Sequence, residues 1–210
     1  MDNKKLLTKL YLISPDHIKV NQFSKVLEAV LKTGLVSCFQ LRLKSTEDNY
    51  IISASKQLIP ICKKYKVPFI LNDRLDLAYE VKADGVHLGE DDGSILEARK
   101  LLGTQAIIGA SCYNSKHLAM EAGENGADYV AFGAFFETKT KKPKSKAEIT
   151  TVKDWVYISN IPCVAIGGIN SKNCEELVKV GVDFIAVIGC IWNNKEQPEI
   201  AIKKFENILV

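Results

Sequence analysis

IIGASCYNSKHLAMEAGENGADYVAFG, residues 107–133, contains one complete strand–helix–strand unit. It opens with a short apolar run, Ile107 to Ser111, and passes through a helix-period segment over 114–125. It then turns at Gly126 and closes with a second apolar run, Tyr129 to Gly133. Parallel strands cannot be joined by a tight hairpin, so a helix that carries the chain back along the sheet is the expected connection. Repeated, the alternation builds a parallel sheet covered by helices.

The same alternation extends outward to both ends of the chain. The other apolar runs are Leu10 to Ile13, Val36 to Leu43, Pro68 to Leu71, Gly85 to Leu88, Cys163 to Gly167 and Phe184 to Gly189. Helices are expected near 21–33, 46–65, 75–82, 94–102, 148–159, 171–180 and 198–208. Eight strand–helix pairs in 210 residues point to one domain over 1–210, a single (β/α)8 TIM barrel at the short end of the usual size range. Gly34, Gly103, Gly126 and Gly181 each fall between a helix and the next strand, where a left-handed cap is useful. A doubly wound open sheet is the competing architecture. It is disfavoured because the eight units run to the end of the chain and no G-x-G-x-x-G turn follows the first strand.

Composition narrows the function classes. Lys and Arg number 28 against 25 Asp and Glu, a formal charge of +3, too even for a general nucleic-acid or membrane surface. Any anion specificity must be local. The six cysteines are scattered without a C-x-x-C pair, a pattern that reads as reduced, buried thiols rather than a metal or disulfide framework. The amino-terminal stretch lacks the apolar region of a signal peptide, and no apolar run has the length of a membrane span, so a cytoplasmic location is expected.

In a (β/α)8 barrel the active site lies at the carboxyl ends of the strands. Polar residues collect there at nearly every strand of this chain. Gln40, Arg42 and Lys44 alternate along the second run and should share one face. Arg42 offers a planar fork suited to two phosphate oxygens, and Lys44 a mobile point charge for the same group. The competing reading is a structural ion pair with a nearby carboxylate. Asn72 and Asp73 end the third strand, and Glu90, Asp91 and Asp92 follow the fourth. Asp73 and Asp92 together read as a magnesium–diphosphate site, since magnesium uses one or two carboxylates, waters and substrate phosphate. For Asp73 alone, capping the helix that begins near Arg74 is an equal alternative. Ser111 ends the fifth strand; Thr138, Thr140 and Lys141 follow the sixth. The Gly167-Gly168 and Ile188-Gly189 turns close strands seven and eight, where barrels often hold a phosphate through backbone N–H groups. His87 shares strand parity with two glycines and should point into the barrel, satisfied by polar neighbours. The basic stretch 139–146 reads as a loop, most of it solvated.

These residues as a set resemble the thiamine phosphate synthase family. The resemblance rests on seven ordered segments covering essentially the whole chain: Gln40 to Lys44, Asn72 to Arg74, Gly85 to Asp92, Gly109 to Ser111, Gly126 to Gly133, Thr138 to Lys141 and Ala165 to Ile169. It implies a (β/α)8 enzyme that joins hydroxymethylpyrimidine diphosphate to hydroxyethylthiazole phosphate with magnesium, releasing pyrophosphate. By the same resemblance Gln40 contacts the pyrimidine, and Arg42, Lys44, Asn72 and Lys141 hold the diphosphate. Asp73 and Asp92 serve magnesium, and Ser111 lies beside the leaving group. Thr138, Thr140 and the backbone at Gly168, Ile188 and Gly189 receive the thiazole phosphate. Arg42, Lys44, Ser111 and Lys141 are the catalytic candidates, and closure of the 139–146 loop over the diphosphate is expected. The partners are then small molecules, with no nucleic acid or membrane, and a homo-oligomer is compatible.

The chain departs from the family pattern at several points: Glu90 replaces a glutamine, Ala134 and Glu137 replace prolines, Gly189 replaces a serine and Tyr113 a histidine. Related thiazole tautomerases use a histidine at the position of Tyr113 and lack the full diphosphate set, which favours the synthase over that reading. A non-catalytic barrel that binds thiamine precursors is the remaining alternative.

Overall fold

The computed structural model describes residues 8–138 and 145–209. Eight parallel strands close into a barrel in sequence order. They are β1 (Lys9–Ile13), β2 (Val36–Leu41), β3 (Phe69–Asn72), β4 (Gly85–Leu88), β5 (Ile107–Tyr113), β6 (Tyr129–Phe132), β7 (Cys163–Ala165) and β8 (Phe184–Val187). The helices between and after them are α1 (Val20–Leu31), α2 (Asp48–Lys64), α3 (Leu75–Val81), α4 (Ile95–Leu102), α5 (Lys116–Glu124), α6 (Ile149–Ile158), α7 (Glu175–Val180), α8 (Gly189–Trp192) and α9 (Pro198–Lys203). Every apolar run named above contains a strand, and the closed barrel replaces the open-sheet alternative. The four glycines expected at helix ends all take positive φ, between 75° and 93°.

Alternation along each strand sorts side chains into two cores. In β1, Leu10 and Leu12 pack outward under the helices, while Tyr11 and Ile13 point into the barrel with Cys38, Ile70, Tyr129, Ala131, Val164 and Ala186. The helices cover the outer layer with apolar stripes at helical spacing; α1 buries Val20, Phe23, Leu27, Val30 and Leu31. Among the described residues no helix is long and apolar enough to cross a membrane. All six cysteines carry free thiols, five of them buried.

The floor of the barrel, at the amino ends of the strands, is closed by a repeated device. Asp84, Asp128 and Asp183 immediately precede β4, β6 and β8. Their carboxylates accept the N–H groups of Phe69, Ile108 and Cys163 at 2.7, 2.7 and 2.8 Å, each on the preceding strand. Phe69 and Ile108 return the bond, their carbonyls accepting from the Asp84 and Asp128 N–H groups. Arg99 adds a 2.6 Å ion pair to Asp128 and reaches the carbonyls of Gly103, Ala106 and Gly126.

Four strands, β2, β6, β7 and β8, end earlier at the mouth than the apolar runs suggest, whereas β3 and β5 run on past them. β2 stops at Leu41, because the Arg42 N–H turns away from the ladder to donate to Ser14 Oγ at 2.8 Å. Arg42 and Lys44 therefore stand on a loop beyond the strand, and strand alternation is not what puts them beside Gln40. β7 and β8 likewise end before their glycine turns. At Gly168 the backbone has φ of 66°, and a Cβ there would lie 2.3 Å from the Glu137 carbonyl oxygen. Glycine at this turn thus lets it pack against the loop after β6. The short helix α8 is an element the sequence reading did not contain.

Candidate active site

The carboxyl ends of the strands surround a cavity of about 420 Å³. Gln40, Arg42, Lys44, Asn72, Asp73, Asp92, Ser111, Thr138, Gly168, Ile188 and Gly189 all line it. These are eleven of the thirteen residues expected at the site; Thr140 and Lys141, with the 139–144 part of the expected closing loop, lie outside the described residues. Tyr113, Ala134 and Glu137, where the chain departs from the family pattern, also line the cavity. Glu90 and Asp91 do not; both are exposed.

Both cations of the second loop are held by carboxylates. Arg42 Nη1 donates to Asp16 in the loop after β1, and the Arg42 side chain is only 11% exposed. Lys44 Nζ donates to Asp73 Oδ2 at 2.5 Å. The two loops are further tied by the buried Ser14 hydroxyl and by the Lys44 N–H, which donates to the Asp16 carbonyl at 3.2 Å. The ion-pair alternative for these cations is thus realised. The pairing does not neutralise the mouth: among the described residues, with all ionised, two positive charges face the four negative charges of Asp16, Asp73, Asp92 and Glu137. An anion enters such a site readily only when further positive charge accompanies it.

Gln40 and Asn72 are neighbours across β2 and β3. Gln40 Nε2 donates to Asn72 Oδ1 at 2.7 Å, which orients both amides at the cavity wall. Asp73 does not cap α3. The residue at the cap is Arg74, which makes no side-chain cap, and Asp73 instead takes φ of 64° with its carboxylate turned to Lys44. Asp tolerates this left-handed backbone better than most residues.

The second acid, Asp92, accepts the Gly89 N–H at 3.0 Å. Burial, followed by the adjacent Asp73 carboxylate, raises the Asp92 carboxyl above its ordinary range. Burial also pushes Asp73 up, but hydrogen bonds from Lys44 and Asp92 and the Lys44 charge bring it below the ordinary value. Two carboxyls this close are a liability in the free protein and an asset to a hard cation. Among the described residues no group of three or more His, Cys, Asp or Glu side chains could hold a metal by itself. The donor set fits magnesium only in the form that keeps waters and takes substrate oxygens.

Ser111 sits at a bulge in β5, where pairing with β6 slips between Ser111 and Tyr113 and Tyr113 takes φ of 55°. Such bulges re-aim side chains at sheet ends. His87 Nε2 lies 2.9 Å from Ser111 Oγ, and His87 Nδ1 lies 2.9 Å from the Tyr129 hydroxyl. The histidine is inward-pointing and satisfied by polar neighbours, as expected. On the far wall, Ile188 and Gly189 open α8 beside the Gly168 turn. The Gly168 carbonyl accepts from Asn173 Nδ2 at 3.0 Å, and that bond holds the turn in shape.

Two contributors escaped the sequence reading. Asp16 stands at the carboxyl end of β1, the one strand end from which no residue was nominated, and the general rule for barrels is the signal that would have found it. Tyr129 has no such signal; an aromatic residue on an inner strand is ordinary core.

A closed (β/α)8 barrel whose cations, acids and glycine turns share one cavity at the strand carboxyl ends is an enzyme scaffold. The thiamine monophosphate synthase family matches residues 10–191. The chain is 47% identical over 201 residues to the thiamine-phosphate synthase of Rhodospirillum centenum, covering 96% of this chain and 97% of that protein. It is 46% identical over 205 residues to the one from Erythrobacter litoralis, covering 95% of each. The solved thiamine phosphate pyrophosphorylase from Pyrococcus furiosus superimposes with a TM-score of 0.83 at 32% identity, over 99% of this chain and 98% of that one. The chain belongs to the thiamine monophosphate synthase family, and it is a transferase of that type.

Proposed function

We propose that this protein joins hydroxymethylpyrimidine diphosphate to hydroxyethylthiazole phosphate, giving thiamine monophosphate and pyrophosphate. The observation that carries the reading is the convergence of Arg42, Lys44, Asp73, Asp92 and Ser111 on the same cavity. The pyrimidine amino group can stabilise a cationic methylene, so the diphosphate departs first and the thiazole nitrogen then attacks. No covalent enzyme intermediate is required.

The chain's own residues would act by position and charge. Gln40, oriented by Asn72, reads the pyrimidine. Arg42 and Lys44 draw the diphosphate away, and the Ser111 hydroxyl donates to it. Thr138 with the backbone at Gly168, Ile188 and Gly189 receives the thiazole phosphate on the opposite wall; Thr140 and Lys141 join these groups by resemblance. Asp73 and Asp92 would hold magnesium, which supplies positive charge to the leaving group when bound. Lys44 then passes from Asp73 to the diphosphate. The proposal places the reaction in the cytoplasm, with small molecules as partners and neither nucleic acid nor membrane.

Incubation of the purified protein with both precursors and magnesium is expected to yield thiamine monophosphate and pyrophosphate in equal amounts. Absence of product above background rejects the proposal, and isomerisation of the thiazole precursor alone would make the protein a tautomerase.

A further inference from the structure

A hydrogen-bonded chain crosses the inside of the barrel and ends at Ser111. Tyr11 and Tyr129 have their hydroxyls 2.7 Å apart, the Tyr129 hydroxyl lies 2.9 Å from His87 Nδ1, and His87 Nε2 lies 2.9 Å from Ser111 Oγ. The four residues come from β1, β6, β4 and β5. Both tyrosines are at least 95% buried, and the imidazole stacks on the Tyr129 ring at 5.6 Å between centroids. Two phenols and an imidazole are a costly way to fill volume that apolar side chains could occupy, because each polar atom must be satisfied.

We propose that this chain makes His87 a positioning residue for Ser111: it keeps the His87 proton on Nε2 and thereby turns the Ser111 hydroxyl into a donor toward an anion in the mouth. A neutral imidazole has one donor and one acceptor nitrogen, so the chain has two head-to-tail directions. In the first, Tyr11 donates to Tyr129, Tyr129 donates to Nδ1, and Nε2–H donates to Ser111 Oγ. The serine proton is then left for the cavity.

In the second, Ser111 donates to Nε2, Nδ1–H donates to Tyr129, and Tyr129 donates to Tyr11. That direction presents serine lone pairs to the cavity. It also sends the Tyr11 proton toward the barrel interior, where its cross-strand neighbour is Cys38, whose sulfur is a weak acceptor. A phosphate oxygen beside Ser111 repels the second arrangement and accepts a short, charge-assisted bond from the first. Anion binding therefore selects one tautomer, and the tyrosines hold it from behind. Metal-ligating histidines are oriented from behind by the same kind of hydrogen bond; here the oriented group is a serine hydroxyl.

This inference rests on the placement of Ser111 beside the departing diphosphate. Two measurements test it. The first reads the tautomer directly, by 15N NMR of histidine-labelled protein with inorganic pyrophosphate and magnesium, the His87 signals being assigned by their loss in His87→Gln. The Nε2–H tautomer is expected; an Nδ1–H tautomer or an imidazolium in the pyrophosphate-bound state overturns the proposal.

The second uses variants of the full chain. His87→Gln offers an amide nitrogen near the Nε2 position and is expected to keep kcat within about tenfold of wild type. His87→Asn, whose amide nitrogen falls near Nδ1, and His87→Phe are expected to lose about 100-fold in kcat with KM little changed. Adding either to Ser111→Ala should cost nothing more, as expected of residues that act as one unit. A Ser111→Ala protein at the wild-type rate rejects the Ser111 assignment and this proposal with it. A slow Ser111→Ala protein beside a wild-type rate in His87→Phe, or additive losses in the double variant, rejects the His87 role alone.

Discussion

Asp16 decides what Arg42 can do. Its carboxylate holds the guanidinium that the proposed reaction needs for the diphosphate, so the two anions share one cation. Removing the charge while keeping the side-chain shape should favour the incoming anion. Asp16→Asn is expected to bind inorganic pyrophosphate about five- to tenfold more tightly than wild type in calorimetric titration, the effect of one like charge near a partly exposed site. Arg42→Ala is expected to lower turnover by about 100-fold or more with an unchanged circular dichroism spectrum. Arg42, Lys44 and Asp92 were legible in the sequence because polar residues at strand ends stand out against apolar runs. Asp16 was not: a Pro-Asp pair after a strand looks like an ordinary turn, and its partner lies 26 residues away with no local periodicity to connect them.

At the scale of elements, the starts of the strands were legible and most of their ends were not. Strand starts follow turn residues and open an apolar run, both visible locally. The end of β2 depends on a bond between two loops, Arg42 N–H to Ser14 Oγ, which no local pattern reveals. Nor does α8 have a readable period, since four residues are about one turn. Between elements, β5 packs closely against β6. A Cβ at Gly109 would fall 2.0 Å from Tyr129 Cζ, so the ring that supports His87 occupies the space a side chain would need. Gly109→Ala is expected to cost about 3 kcal/mol in urea unfolding, through overpacking against the Tyr129 ring. An unchanged midpoint would mean that β5 and β6 separate easily.

The whole molecule keeps its thiols protonated. Burial pushes Cys38, Cys62, Cys112, Cys163 and Cys190 from 9.0 up to about 12. A raised thiol pKa favours the folded state fully below the unfolded value, and that contribution is lost as pH rises toward the folded value. Stability should therefore hold below pH 9 and fall between pH 9 and about 12, by about 1.4 kcal/mol per pH unit for each thiol. Chemical unfolding at stepped pH checks this, and Cys62→Ala should flatten the alkaline slope. The closed architecture itself was legible because it repeats: eight units of one kind have few other ways to bury both faces of a parallel sheet.

The aspartate clips on the floor carry a consequence for the opposite end of the barrel. Because Asp84, Asp128 and Asp183 each grip the strand before them, they lock how far one strand is slid along its neighbour. In a closed barrel that offset is shared around the ring. The height at which Asn72, Ser111 and the Ile166-to-Gly168 turn emerge at the rim is thus set from below, about a strand's length away from the cavity. The clips act as the zero marks of a ruler whose other end is the candidate site.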